Sequence, residues 1–307
     1  MKTIKYLFSL AVGAALLTIS AQAQNQSGVD STGLPGDNFS LQGALQMFQN
    51  AASPEAFEQA INTEGNRVNN LDLDGDGDID YVKVVSKMDK DVHAFILQVA
   101  ISEKETQDIA VIELEKTGKE TAVIQIIGDE DIYGEQVIVE PDGGGENARL
   151  LHDDHINNSN LSGPNASFDY EAPAIVVNVW LWPSVRFIYA PGYRPWVSPW
   201  RWHYYPAYWK PWRPYSWQVW NPFRIHYHRP FVVVRTHRVI HAHRIYTPYR
   251  STSVVVRNRH SASVNNYRVT RTRTTVTGPR GKTTTVKRTT VTGPRGGKAT
   301  KVKVRRH

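Results

Sequence analysis

The stretch Asp72-Leu73-Asp74-Gly75-Asp76-Gly77-Asp78-Ile79-Asp80 sets five carboxylates at alternate positions. At neutral pH such a row repels itself strongly, and a hard dication among the aspartates removes the repulsion. The spacing is that of an oxygen-rich calcium loop. Asp72, Asp74 and Asp76 would be the first side-chain ligands, Gly77 allows the sharp turn, Asp78 offers its backbone carbonyl, and Asp80 closes the set. Calcium is therefore the expected cofactor, in a structural rather than a sensing role.

The loop resembles that of the EF-hand, but Lys83 stands where that family places a bidentate glutamate, and strand-type sequence follows instead of a helix. It is more similar to the D-x-[DN]-x-D-G-x-x-D loops of extracellular β-repeat proteins. That likeness implies direct coordination by Asp80 and a strand immediately after it. It covers nine to twelve of 307 residues, so it implies a metal site and not a fold. The missing ligand is expected from water or from the cluster Asp129-Glu130-Asp131. Without the glutamate, affinity should be weak, on the order of 10⁻⁴ to 10⁻³ M.

A second group of chemistry-bearing residues lies far downstream. All nine tryptophans fall between Trp180 and Trp220, interleaved with tyrosines, seven prolines and four arginines. Trp196, Trp200, Trp202, Trp209 and Trp212, with Arg201 and Arg213, could stack on sugar rings or bases while neutralising anionic groups. The same aromatics could instead cover the open face of a sheet, or sit at a membrane interface, and all three roles stay open. Prolines at this density remove backbone donors, so turns, polyproline-like stretches and short strands are expected rather than helix.

His226, His228, His237, His241 and His243 follow in two His-x-His pairs, which on a strand would each face one side. No carboxylate or thiol lies near them in sequence, and six arginines from Arg224 to Arg250 oppose a dication, so they do not predict a metal site. His152-Asp153-Asp154-His155 reads as a merely polar stretch of a linker. The chain has no cysteine, no Gly-x-Ser-x-Gly, no His-Glu-x-x-His and no phosphate loop. A carboxylate pair acting on glycosides is the one enzymatic alternative, and no pair stands out.

The elements that must position these residues follow a sharp division of charge. All 29 acidic residues lie at or before Glu171, whereas Ala172 to His307 holds 26 Lys plus Arg and no acid. Lys2, Lys5, the apolar stretch 6–19 and Ala21-Gln22-Ala23 predict a secretory signal over residues 1–23, cleaved to leave no membrane span. Residues 38–140 read as an acidic α+β domain. Two short helices are marked by Leu41, Leu45 and Phe48, then by Phe57, Ala60 and Ile61, with Ser53-Pro54 starting the second. Five β-branched runs follow, 79–86, 92–101, 109–114, 122–127 and 132–139. Their connections are too short for parallel crossovers, so an antiparallel meander is expected. The run 92–101 is apolar on both faces, which predicts helices on one face of the sheet and another layer, such as the aromatic segment, on the other.

Residues 141–172 read as a linker, 173–250 as an irregular aromatic and basic region, and 251–307 as a basic tail. RTTVTGPRGK at 273–282 recurs as RTTVTGPRGG at 288–297, a repeat of period 15. With little apolar surface, the tail is expected to be disordered in isolation, a cationic β-ribbon being the alternative. Signal, calcium-type loop, hairpin domain, the segment SPWRWHYYPAYWKPWRP and the basic tail together resemble exported proteins of Bacteroidetes-type bacteria. That group has no assigned activity to carry over. The expectation is a non-catalytic envelope protein whose basic half binds a polyanion such as lipopolysaccharide, acidic glycan or nucleic acid, with peripheral membrane contact a further option. The alternative is a structural or assembly protein whose basic half packs on its own or a neighbour's acidic domain.

Overall fold

In the computed structural model, residues 31–143, 176–277, 283–292 and 298–306 are described. The signal segment, nearly all of the linker and both Gly-Pro-Arg-Gly turns lie outside the described residues. Helices α1 (Leu41–Asn50) and α2 (Pro54–Ile61) form where the apolar spacing places them. Ser40 accepts the Gly43 amide and Ser53 the Ala56 amide, satisfying first-turn donors, while Pro54 at the first position loses nothing.

Strands β1 (Val82–Asp89), β2 (Val92–Ala100), β3 (Thr106–Gly118), β4 (Thr121–Gly128) and β5 (Val137–Pro141) make the expected antiparallel meander in chain order. Two boundaries differ from expectation. Ile79 and Asp80 do not join β1, because their amides bond the carbonyls of Trp212 and Leu71. The run 132–139 is split. Asp129 caps a single turn, α3 (Glu130–Tyr133), Gly134 ends it at φ 74°, and the strand begins only at Val137.

The aromatic and basic region is more ordered than its prolines suggest. Helix α4 (Pro183–Ile188) begins on a proline, where the missing amide costs no bond, and α5 (Trp217–His226) follows the proline-dense stretch. Strand β6 (Phe231–Val234) then pairs antiparallel with β5 and completes a six-stranded sheet, although it comes from the basic half. At the opposite edge, Trp196 and Ser198 bond Ser86 and Val84 of β1, and Val197 bridges Val85. The same half of the chain thus covers part of the β1 edge and pairs β5, so that the sheet ends on the short, four-residue β6.

The layers also differ from expectation. Phe95, Leu97, Val99 and Ile101 face the main core with α1 and α2, and the aromatic segment packs into that same core through Val179, Val185, Ile188, Trp180 and Trp196. The other face, carrying Ala94, Ile96, Val111, Ile127 and Ile138, is covered by α6 (Ile240–Tyr246) through Ile245 and Tyr246. Helix α7 (Val254–Asn266), capped by Ser253, sends Val256 into the main core, so the basic tail does not begin at residue 251. Beyond it, β7 (Arg268–Thr277), β8 (Thr283–Thr292) and β9 (Lys298–Arg306) form an antiparallel three-stranded ribbon where disorder was expected. Thr and Val favour extended backbone, and β8 pairs with a neighbour along both of its edges.

Candidate functional site

The aspartate loop stands on a buried base. Leu71, Leu73 and Ile79 are buried, the Asp80 amide bonds the Leu71 carbonyl, and Asn69 donates to the Asp80 carbonyl while accepting the Leu71 amide. Above this base, Gly75 and Gly77 take φ of 72° and 91°, values that side chains disfavour, and the chain folds back on itself. Asp72 accepts the amides of Gly75 and Gly77, Asp74 that of Asp76, and Asp76 that of Asp78. Carboxylate oxygens of Asp72, Asp74 and Asp76 consequently lie within 4.8 Å of one another.

Of the five aspartates expected at the site, these three converge. The Asp78 side chain is exposed. Asp80 is buried and turns its Oδ2 to the Leu73 amide at 2.5 Å. Burial first, then the neighbouring aspartates, push the Asp80 carboxyl up to about 8. The expected extra ligand does not come from Asp129, Glu130 or Asp131. Arg250 holds Asp129 at 2.6 Å and Asp131 at 3.3 Å, with Glu130 at 3.5 Å, and Arg257 adds a contact to Asp131 at 3.2 Å. The residue that meets the loop is Arg259 on α7, which donates to the Leu73 carbonyl and lies close enough to Gly75 to collide with any Cβ there. Three carboxylates and one arginine carry less negative charge than five carboxylates alone, and a cation held there would be bound correspondingly weakly.

The aromatic residues expected to hold a ligand are committed to the protein to different degrees. All nine tryptophans are at least partly buried. Trp196 donates its indole N–H to Glu58 at 3.2 Å, Trp209 packs edge-on against Tyr81 and Tyr205, and Trp212 gives its carbonyl to Ile79 at the foot of the aspartate loop. Trp200 lies beside Tyr204, and Trp202 against His203. Arg201 and Arg213 are exposed, Arg201 lying over the Tyr204 ring at 4.7 Å.

Glu58 is the node of this docking. The buried carboxylate on α2 accepts Val84 N, Tyr81 OH, Trp196 Nε1 and Ser198 Oγ, so one side chain ties α2, β1 and the aromatic segment together. Burial raises its pKa while the four donors oppose that rise.

A third cluster joins residues that sequence spacing separates. Glu113 on β3 is fully buried, and it pairs with His237 Nε2 at 2.5 Å and His243 Nδ1 at 2.7 Å. The second His-x-His pair lies on α6, not on a strand, so its members diverge: His243 reaches Glu113 while His241 reaches Glu115 at 3.1 Å. A signal for this cluster does exist in the sequence. Glu113 and Glu115 interrupt an apolar strand at alternate positions, which on a buried face demands polar partners. No protein-family model, curated protein or solved structure matches this chain.

Proposed function

We propose that this is an exported, non-catalytic envelope protein in which the acidic domain, braced by calcium, is wrapped by the chain's own aromatic and basic segment, leaving the terminal ribbon to bind a polyanion. The observation that carries this reading is the unequal use of basic residues. In the wrapping segment, Arg238 pairs with Glu140, Arg250 with Asp129 and Arg257 with Asp131, so these charges are spent inside the molecule. Ten of the 26 basic residues after Ala172 lie on the described strands of the ribbon between Arg268 and Arg306.

The ribbon's register concentrates them. Partners directly across an antiparallel sheet share a face, and residues alternate along each strand. In the backbone register, Arg273 stands opposite Lys287 and Lys287 opposite Lys303, so three basic positions line up across all three strands. Like charges directly opposite destabilise a sheet, and a polymer of phosphate, sulfate or carboxylate groups relieves that repulsion. Among the described residues, no helix is long and apolar enough to cross a membrane.

On an immobilised sulfated polysaccharide, the full chain is expected to elute at clearly higher salt than a chain ending at Tyr267, with affinity at ~0.1 M salt at least about tenfold greater. Equal elution would place the polyanion contact elsewhere or nowhere. The calcium brace has its own measurement. With a dissociation constant on the order of 10⁻⁴ to 10⁻³ M, calcium at ~10 mM stabilises the fold by about 1.4 to 2.7 kcal/mol. Thermal melting in calcium against chelator should show that gain in the wild type and lose it in Asp74→Asn, and an unchanged wild-type midpoint rules the brace out.

A further inference from the structure

We propose that Glu113, His237 and His243 form a binding site for one borderline dication of the zinc class, with solvent as the fourth ligand, and that this ion pins the segment leading into α6 to the second face of the sheet. The inference is independent of the calcium and polyanion readings above.

Geometry comes first. One carboxylate oxygen of Glu113 and one ring nitrogen of each histidine all lie within 4.8 Å of one another, and His237 and His243 contact different oxygens of that carboxylate. The two imidazoles stand nearly perpendicular, at 78° with centroids 4.6 Å apart, so their nitrogens approach the carboxylate from different directions. Tetrahedral zinc, with bonds of about 2.0 to 2.1 Å, sets its ligand atoms roughly 3.3 Å apart. The His237 and His243 contacts to Glu113, at 2.5 and 2.7 Å, need to open by less than ~1 Å to admit the ion. Glu113 is fully buried, whereas the side chains of His237 and His243 keep 21% and 33% of their exposure, which gives the ion a path in and leaves a solvent-facing fourth position.

Supporting contacts fix the ligands before any ion arrives. Gln125, directly across from Glu113 on β4, accepts the Arg238 amide and donates to the Thr236 carbonyl, and so clamps the backbone on both sides of His237. Glu115 accepts the amides of His241 and Ala242 in the first turn of α6, and at the far end of that helix Tyr246 donates to Asp108. His243 sits between these two anchors. These contacts hold the backbone segments that carry the two histidines.

The donor set selects the ion. Two imidazoles and one carboxylate suit zinc, copper or nickel, while calcium requires six to eight oxygens that this site does not offer. The arginines that argue against a dication in the linear sequence are partly accounted for. Arg238, the nearest in sequence, is neutralised by Glu140 at 3.0 Å, and Arg250 by Asp129 at 2.6 Å.

The test is titration of the full chain with zinc chloride by calorimetry, in excess calcium, for the wild type, for the double variant His237→Ala/His243→Ala, and for the control His241→Ala. The expected result is one more zinc bound by the wild type and the control than by the double variant, at least about 100-fold tighter than whatever zinc the double variant retains. Identical stoichiometry and affinity in all three would overturn the proposal. Cobalt(II) added to the wild type needs no variant. An intense visible band of a four-coordinate site supports the assignment, and only the weak band of octahedral cobalt refutes it.

Discussion

Produced without the rest of the chain, residues 31–143 are expected to expose apolar surface and self-associate instead of folding to a stable monomer. The main core includes Val179, Val185, Ile188, Phe231 and Val256, and Trp220 is fully buried with its indole N–H on the Asp37 carbonyl. All six side chains come from beyond Ala172. At about 1.5 to 3 kcal/mol for each large apolar side chain buried, their loss removes on the order of 10 kcal/mol, comparable to the entire stability of a typical domain. The same truncation strips β1 of Trp196 and Ser198 and strips β5 of β6, opening both sheet edges to intermolecular pairing. Size-exclusion chromatography with a dye that reports exposed apolar surface checks this, and supplying residues 176–267 in trans should suppress the association. A monomeric fragment with a cooperative melt and no dye binding would show that the wrap is dispensable.

Replacing Glu58 should separate hydrogen bonding from charge. In Glu58→Leu the Val84 amide and Trp196 indole lose their acceptor in a buried setting. At about 1 to 3 kcal/mol per orphaned donor, we expect a loss of roughly 4 kcal/mol. Glu58→Gln is expected to stay within about 1.5 kcal/mol of the wild type. Its carbonyl can keep Val84 and Trp196, and its amide can donate to the hydroxyls of Tyr81 and Ser198, which are able to accept as well as donate. Tyr81 has Tyr208 OH at 3.1 Å as an alternative partner for its proton. Denaturant unfolding gives both values, and tryptophan emission should shift to the red in Glu58→Leu as the segment carrying Trp196 loosens. Equal losses in the two variants would mean that the carboxylate charge, not the acceptor geometry, holds the segment.

How far the fold is legible in the sequence depends on the range of the interaction that fixes each part. Helices α1 and α2 and the first four strands follow from residue periodicity, and their ends from Ser53-Pro54 and from connections of two to five residues. The aspartate loop is legible for the same reason, since its turn needs only Gly75, Gly77 and the carboxylates that accept its own amides. The split of 132–139 departs from the β-branched pattern because a capping Asp129 and a terminating Gly134 outweigh the β-preference of Ile132 over four residues.

Charge asymmetry, read along the chain, says only that the two halves suit each other or suit outside partners. The docked structure shows which residues meet: Arg250 with Asp129, Arg259 with the aspartate loop, and His237 and His243 with Glu113, across 124 and 130 residues. The sequence by itself determined the local elements, the aspartate turn and the surplus of charge in each half, because these depend on neighbours a few residues apart. Only the tertiary structure decided the sixth strand, the two covered faces and the histidine cluster on Glu113. Those pairings depend on which buried polar and apolar surfaces fit together after folding; a local pattern such as Glu113 and Glu115 within an apolar strand signals that partners are needed and not which residues they are.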